Sequence, residues 1–145
     1  MCLLEKDHKI IDKNRVQYYY MFMKREHEEF MNKNALIKLI DMHLVKYVDN
    51  IQISIQSKEP ASHFYDYLIN LKLSDNTSIP VAIETKKNLR PVTLRLIESV
   101  FKSIHVPYKM IVADYISPPI ANKLREMKIW FLDEVGNIYI DLPGK

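Results

Sequence analysis

Glu84 and Lys86 are the residues whose type and spacing most directly suggest chemistry. They close an apolar run, Ile79 to Lys86, that has the pattern of a β-strand, and side chains two residues apart on a strand point to the same face. Asp66 lies in the strand-like run before it. A hairpin that turns about Asn76 would place residue 86 opposite residue 66. The sequence therefore predicts that Asp66, Glu84 and Lys86 converge on one face.

Two carboxylates beside an ammonium group suit metal-assisted hydrolysis of a phosphodiester. Asp66 and Glu84 are the candidate ligands for Mg²⁺, or for Mn²⁺ in its place, because hard cations prefer oxygen ligands. Lys86 could orient or deprotonate a metal-bound water, or stabilise charge on the phosphate. The alternative is a solvated ion pair between Glu84 and Lys86, worth at most about 1 kcal/mol. Glu126 and Lys128 repeat the spacing at a helix end, where solvation of both charges is expected.

The segments that must position these residues alternate between strand and helix patterns. From Lys13 to Val48 there is no proline or glycine, and apolar spacings of three and four predict two helices or one broken helix. The break is expected near Glu26 to Glu29 or at Asn32 to Asn34. Strand patterns cover 51–56, 64–73, 79–86, 108–113, 129–132 and 138–140, and later helix patterns cover 91–104 and 118–127. We expect one α/β domain over 1–145, with a mixed sheet of about five strands flanked by helices.

Several of these segments resemble a known superfamily. A hairpin that carries Asp66, the segment Pro80-Val81-Ala82-Ile83-Glu84-Thr85-Lys86, and then a helix and a buried strand resemble the PD-(D/E)xK, or restriction-endonuclease-like, proteins. Three further segments are similar to the nuclease-like domain of AbiEi-type antitoxins and related transcriptional regulators: Ala113 to Pro118, Leu124 to Glu126 and Phe131 to Asn137. Together the two resemblances cover about Phe64 to Gly144.

This resemblance implies a restriction-endonuclease-like fold, metal ligation by Asp66 and Glu84, and Lys86 as the catalytic lysine. The implied activity is that of a Mg²⁺-dependent nuclease acting on DNA. Because some members of the superfamily only bind, the alternative is a non-catalytic, antitoxin-like regulatory module that binds DNA or protein. The chain departs from the pattern at Tyr65, where the superfamily has proline, and Glu28 or Glu29 would be the candidate for the acid that some members supply from a helix.

Basic residues follow the candidate site along the chain. Lys87, Arg90 and Arg95 could approach a phosphate backbone, although a solvated helix face would explain the same residues. The chain has 21 Lys and Arg against 18 Asp and Glu, a net charge of +3 that permits a nucleic-acid partner without requiring one. The resemblance makes DNA the expected partner, and a protein partner or a homodimer is the alternative.

Other classes of function are excluded by composition. Only 2 glycines are present, too few for a Gly-rich phosphate-binding loop, and Cys2 is the only cysteine, which excludes an intrachain disulfide and a cysteine-rich zinc site. The apolar stretch Met1 to Leu4 is broken by Glu5 and Lys6, and no run of about 18 apolar residues occurs, so neither a signal peptide nor a membrane span is predicted. These features suit a cytoplasmic protein.

Aromatic and histidine residues add weaker indications. Tyr18 to Tyr20 could stack on bases, but their helical spacing favours packing in a core or an interface. The 5 histidines lack metal-ligand spacing. His43 is expected to pack within a helix, and His63 is the histidine closest along the chain to Asp66.

Overall fold

A six-stranded sheet forms the centre of the protein. The computed structural model describes residues 31–46, 51–57 and 65–142, and the statements below refer to these residues. The strands are β1 (Gln52–Ser57), β2 (Tyr67–Lys72), β3 (Ser78–Lys86), β4 (Tyr108–Ala113), β5 (Trp130–Asp133) and β6 (Ile138–Tyr139). The helices are α1 (Lys33–Leu44), α2 (Pro91–Phe101) and α3 (Pro118–Glu126). The predicted α/β class and mixed sheet are confirmed.

The strands lie in the sheet in the order of the sequence. β1, β2 and β3 pair antiparallel, β3, β4 and β5 pair parallel, and β6 returns antiparallel to β5. Antiparallel neighbours can be joined by a short turn, whereas parallel neighbours need a crossover, which α2 and α3 provide. The sheet has one strand more than expected because the short β6 also joins it.

The hairpin between β2 and β3 differs in register from the prediction. Leu68 lies opposite Ala82, and not opposite Glu84 as a turn centred on Asn76 requires. Asn76 adopts the left-handed conformation, with φ 68°, inside a turn at 73–77, and the strand pair that closes this turn is Lys72 with Ser78. The shift is an even number of residues, so the side chains of the paired residues 67–72 and 78–83 stay on their expected faces.

The two faces of the sheet bury separate cores. On one face, α2 and α3 pack on Ala82, Ile111 and Phe131. On the other face, α1 packs on side chains of β2 to β5, of which Ile69 and Val112 are fully buried. Burial on both faces explains why Tyr108–Ala113 reads as a nearly continuous apolar run, and the strand predicted there is confirmed.

The helices begin where capping residues allow them to. The side chain of Asn32 accepts a hydrogen bond from the N–H of Ala35 at 2.9 Å, which confirms the later of the two predicted boundaries. Residues 13–30 and 47–48 of the predicted helical pattern lie outside the described residues. α2 and α3 have Pro91 and Pro118 in their first turns, as predicted. None of the described helices combines the length and apolar character needed to cross a membrane.

Phe131 tests the core beneath α3. Its ring is fully buried, lies 5.9 Å from the ring of Tyr139 between centroids, and has the guanidinium of Arg125 5.3 Å from its centre. Phe131→Ala should lower the free energy of unfolding by about 3–5 kcal/mol, since it removes a large buried side chain and leaves a cavity. Val135→Ala, at an exposed position, should change it by about 0.5 kcal/mol or less. Urea denaturation measures both, and a similar loss in the two variants would contradict this description of the core.

Candidate functional site

Glu84 and Lys86 lie at the carboxyl end of β3, on the face covered by α2 and α3. Their neighbours on the parallel strand β4 are Ile111 and Ala113. Glu84 is 0% exposed and Lys86 is 7% exposed, and the Lys86 Nζ lies 3.9 Å from Glu84 Oε2. The alternative of a solvated pair is therefore wrong. Both side chains are removed from water at this end of the strand.

Burial changes the acid–base properties of this pair. Removal from water raises the pKa of the Glu84 carboxyl well above its usual range, and the Lys86 ammonium opposes this only in part. Glu126 and Lys128 share the Glu-x-Lys spacing, but both of their side chains are exposed. Position in the fold, rather than spacing, distinguishes the two pairs.

Asp66 lies beside the same end of β3, directly before β2. Its N–H donates a hydrogen bond to the carbonyl oxygen of Ile83 at 2.9 Å. Its Oδ2 accepts hydrogen bonds from both the N–H and the hydroxyl of Thr85, each at 2.9 Å. The structure thus brings Asp66 to the strand end that carries Glu84 and Lys86, and it holds the carboxylate through Thr85.

Thr85 is a site residue that sequence reasoning passed over. Its side chain belongs to the opposite strand face, which seemed to separate it from Asp66. The carboxylate of Asp66 nevertheless accepts a hydrogen bond from the Thr85 N–H, just before β2 begins. A side-chain acceptor that satisfies a strand-end donor can be inferred only once the hairpin register is known.

The predicted phosphate-contacting residues lie on the surface just after β3. Lys87 is exposed in the bend that follows the strand, Arg90 is the N-cap residue of α2, and Arg95 is exposed within that helix. The side chain of Arg90 makes no capping hydrogen bond. These positions suit contact with a polyanion, and they suit a solvated helix face equally well.

Asp133 is a second buried carboxylate near this end of the sheet, and its role is structural. It is 0% exposed and lies opposite Ala113 on β4. Its two oxygens accept hydrogen bonds from four donors in the loops after β4 and β5: the N–H groups of Ile116, Gly136 and Asn137, and the Asn137 side-chain amide. Asp133 therefore ties two loops together.

The donor set matches a hard divalent cation in its chemistry. Asp66 and Glu84 offer carboxylate oxygens, and Mg²⁺ is commonly held by one or two carboxylates together with water and substrate phosphate. No cluster of three or more His, Cys, Asp or Glu side chains suited to a metal occurs within 31–46, 51–57 and 65–142.

The remaining predicted residues are divided between described and undescribed parts of the chain. His43 is buried on α1 beside Gly136, which confirms the expectation that it packs. Tyr18 to Tyr20, Glu28, Glu29 and His63 lie outside the described residues.

Comparison of the chain with protein-family models, with curated proteins and with solved structures gives no match.

Glu84→Gln tests the burial of this carboxyl. The folded pKa is raised above the value of about 4.3 for unfolded glutamate, so between the two values the folded chain binds more protons than the unfolded chain. Wild-type stability should therefore fall as pH rises through this interval, and the Gln variant should lack that part of the decline. In buffer with chelator, the unfolding free energy of the variant relative to wild type should rise from pH 4.5 to pH 8.

Equal pH profiles for wild type and Glu84→Gln would show that the carboxyl is not held in its neutral form. Glu126→Gln is the matched control at the exposed pair, and its profile should follow that of the wild type.

Proposed function

We propose that this protein is a restriction-endonuclease-like domain that engages DNA and cleaves phosphodiesters with Mg²⁺. The observation that carries the proposal is the buried pair of Glu84 and Lys86 at the carboxyl end of β3, with Asp66 alongside. The cytoplasm is the proposed location.

Burial of such a pair needs a reason beyond stability. Removal of a carboxylate and an ammonium from water costs several kcal/mol per ion, and the attraction between them often fails to offset that cost. Apolar side chains at positions 84 and 86 would pack without this penalty, as Ile111 and Phe131 do on the neighbouring strands β4 and β5. A buried carboxyl group with a strongly raised pKa, such as Glu84 at this strand end, is a candidate for a functional site.

The order of elements supports the finer fold proposal. The resemblance rests on a hairpin that carries the aspartate, then the Glu-x-Lys strand, a helix and a buried strand. The structure has these elements in that order as β2, β3, α2 and β4, and Asp66 precedes β2. β4 pairs parallel to β3 and is buried between the two helix-covered faces.

In the proposed reaction each residue has a role that follows from its chemistry. Asp66 and Glu84 would hold the cation, which when bound supplies a more acidic water and a positive charge beside the phosphate. The hydrogen bonds from Thr85 orient Asp66. Lys86 would place its ammonium group beside the phosphate and stabilise the charge that develops there. Lys87, Arg90 and Arg95 would contact the DNA backbone.

A non-catalytic, regulatory module is the second candidate function. Two observations favour it: Asp66 Oδ2 already accepts two hydrogen bonds from Thr85, and burial favours the neutral form of Glu84. Both features would stabilise a site that has kept the fold and lost the cation. Such a module would bind DNA or a protein through the same surface.

Conservative variants separate these candidates. Asp66→Asn and Glu84→Gln should weaken Mn²⁺ binding about tenfold or more, because each replaces a charged ligand by a neutral amide of the same size. Lys86→Ala should leave cation binding intact or strengthen it, and should reduce plasmid nicking by about 10²-fold or more. Glu126→Gln and Lys128→Ala should change neither quantity. Calorimetric titration with Mn²⁺ and a nicking assay with and without metal provide the measurements.

Each outcome of these measurements has a defined meaning. Metal binding and nicking that both depend on Asp66 and Glu84 support the nuclease. Metal binding by the wild type without nicking refutes catalysis and supports the non-catalytic module. A folded wild type that shows neither binding nor nicking refutes the nuclease and supports a module that has lost the cation.

The proposed DNA surface predicts a particular salt dependence. Replacement of Lys87 and Arg90 by Ala should reduce the slope of log affinity against log salt by about two units, since each lost phosphate contact accounts for about 0.9. Lys33→Ala with Lys38→Ala is a matched control that removes the same charge from exposed positions on α1, across the sheet. Fluorescence anisotropy with duplex DNA measures the slopes. Equal slopes for the two double variants would place the DNA elsewhere.

A further inference from the structure

We propose that β1 joins two copies of this protein edge to edge, as antiparallel strands related by a two-fold axis at Ser54. β1 is an outer strand of the sheet and pairs only with β2 among the described residues. The proposal does not depend on the site at the end of β3.

The edge strand lacks the charges and prolines that commonly prevent strand pairing. Residues 51–57 read Ile-Gln-Ile-Ser-Ile-Gln-Ser, without a charge or a proline, in a chain in which 27% of residues are charged. Exposed edges in natural proteins are usually protected by lysine, proline, a bulge or a covering element. β1 has one such feature, a register shift between Ile55 and Ser57, which leaves 52–55 in regular pairing.

The sequence of the strand is complementary to itself. Residues 52–56 read the same in both directions, as Gln-Ile-Ser-Ile-Gln, with Ser54 at the centre. In a two-fold antiparallel pair about Ser54, Ile53 faces the partner's Ile55 and Ser54 faces the partner's Ser54. A two-fold interface requires such reciprocal contacts, and an unrelated partner would not require this symmetry.

The two faces of β1 are suited to this pairing. Ile53 and Ile55 are half-buried and lie beside Leu71 and Ile69 on the apolar face of the sheet. Pairing across the axis would cover their remaining exposed surface with the same apolar residues of the second copy. Ser54 is exposed on the opposite face, where a pair of small hydroxyl side chains can meet without burying a charge.

The contact is small, because its regular part is limited to a few residues of each strand. Interfaces that bury less than about 1,200 Å² are weak, so a dissociation constant in the micromolar range is expected. Sedimentation of the wild type should show twice the 17.2 kDa chain mass as concentration rises to about 100 µM.

A charge at the axis should break the dimer. Ser54→Lys places two ammonium groups opposite each other across the axis and should weaken dimerisation tenfold or more. Ser74→Lys, an exposed substitution in the turn between β2 and β3 and away from the edge, is the matched control and should dimerise like the wild type. Circular dichroism verifies that both variants are folded.

Cysteine cross-linking tests the register. In a background with Cys2→Ser, Ser54→Cys should form a disulfide-linked dimer on mild oxidation, since facing Cα atoms lie about 4.5–5.5 Å apart. Gln52→Cys should not, because its two copies would be about 13 Å apart along the strands. A monomeric wild type, a dimer that survives Ser54→Lys, or equal cross-linking at the two positions would each overturn the proposal.

Discussion

Strand β3 is hydrogen-bonded on both edges and covered on both faces, and it is antiparallel to β2 and parallel to β4. The hairpin with β2 needs only a tight turn, whereas the parallel partner requires the chain to cross over the sheet through α2. That crossover begins directly after the last residues of β3, where Glu84 and Lys86 are buried. The same change of direction therefore completes the sheet next to this pair.

Two buried carboxyl groups near this end of the sheet are stabilised in different ways. Asp133 accepts four hydrogen bonds from loop donors, so both of its buried oxygens have hydrogen-bond partners. Glu84 has the ammonium of Lys86 at 3.9 Å, and burial still raises its pKa well above the usual range. The structural carboxylate thus ties loops together through hydrogen bonds, whereas the candidate functional one lies beside a buried ammonium group.

Most of the fold could be predicted from spacing because each element is amphipathic or apolar according to its layer. β4 has its predicted bounds, and α2 and α3 begin at their predicted prolines. The predictions of the hairpin register and of the end of α2 were wrong, because both depend on local backbone geometry. The left-handed residue Asn76 moved the hairpin register by two residues, and α2 ends at Phe101, before Ile104, where the hydroxyl of Ser103 donates to the Val100 carbonyl oxygen at 2.7 Å.

For the candidate site, the sequence by itself determined which side chains share a strand face, because alternation in a strand is a local property. It therefore placed Glu84 and Lys86 together, but it could not distinguish a buried pair from a solvated one. That distinction depends on the tertiary structure, in which other parts of the chain cover both faces of β3. The hydrogen bonds between Asp66 and Thr85 likewise required the tertiary structure, because they join the start of one strand to the end of its neighbour. Burial and compensation of charge are properties of the surroundings of a residue, and those surroundings come from distant parts of the chain.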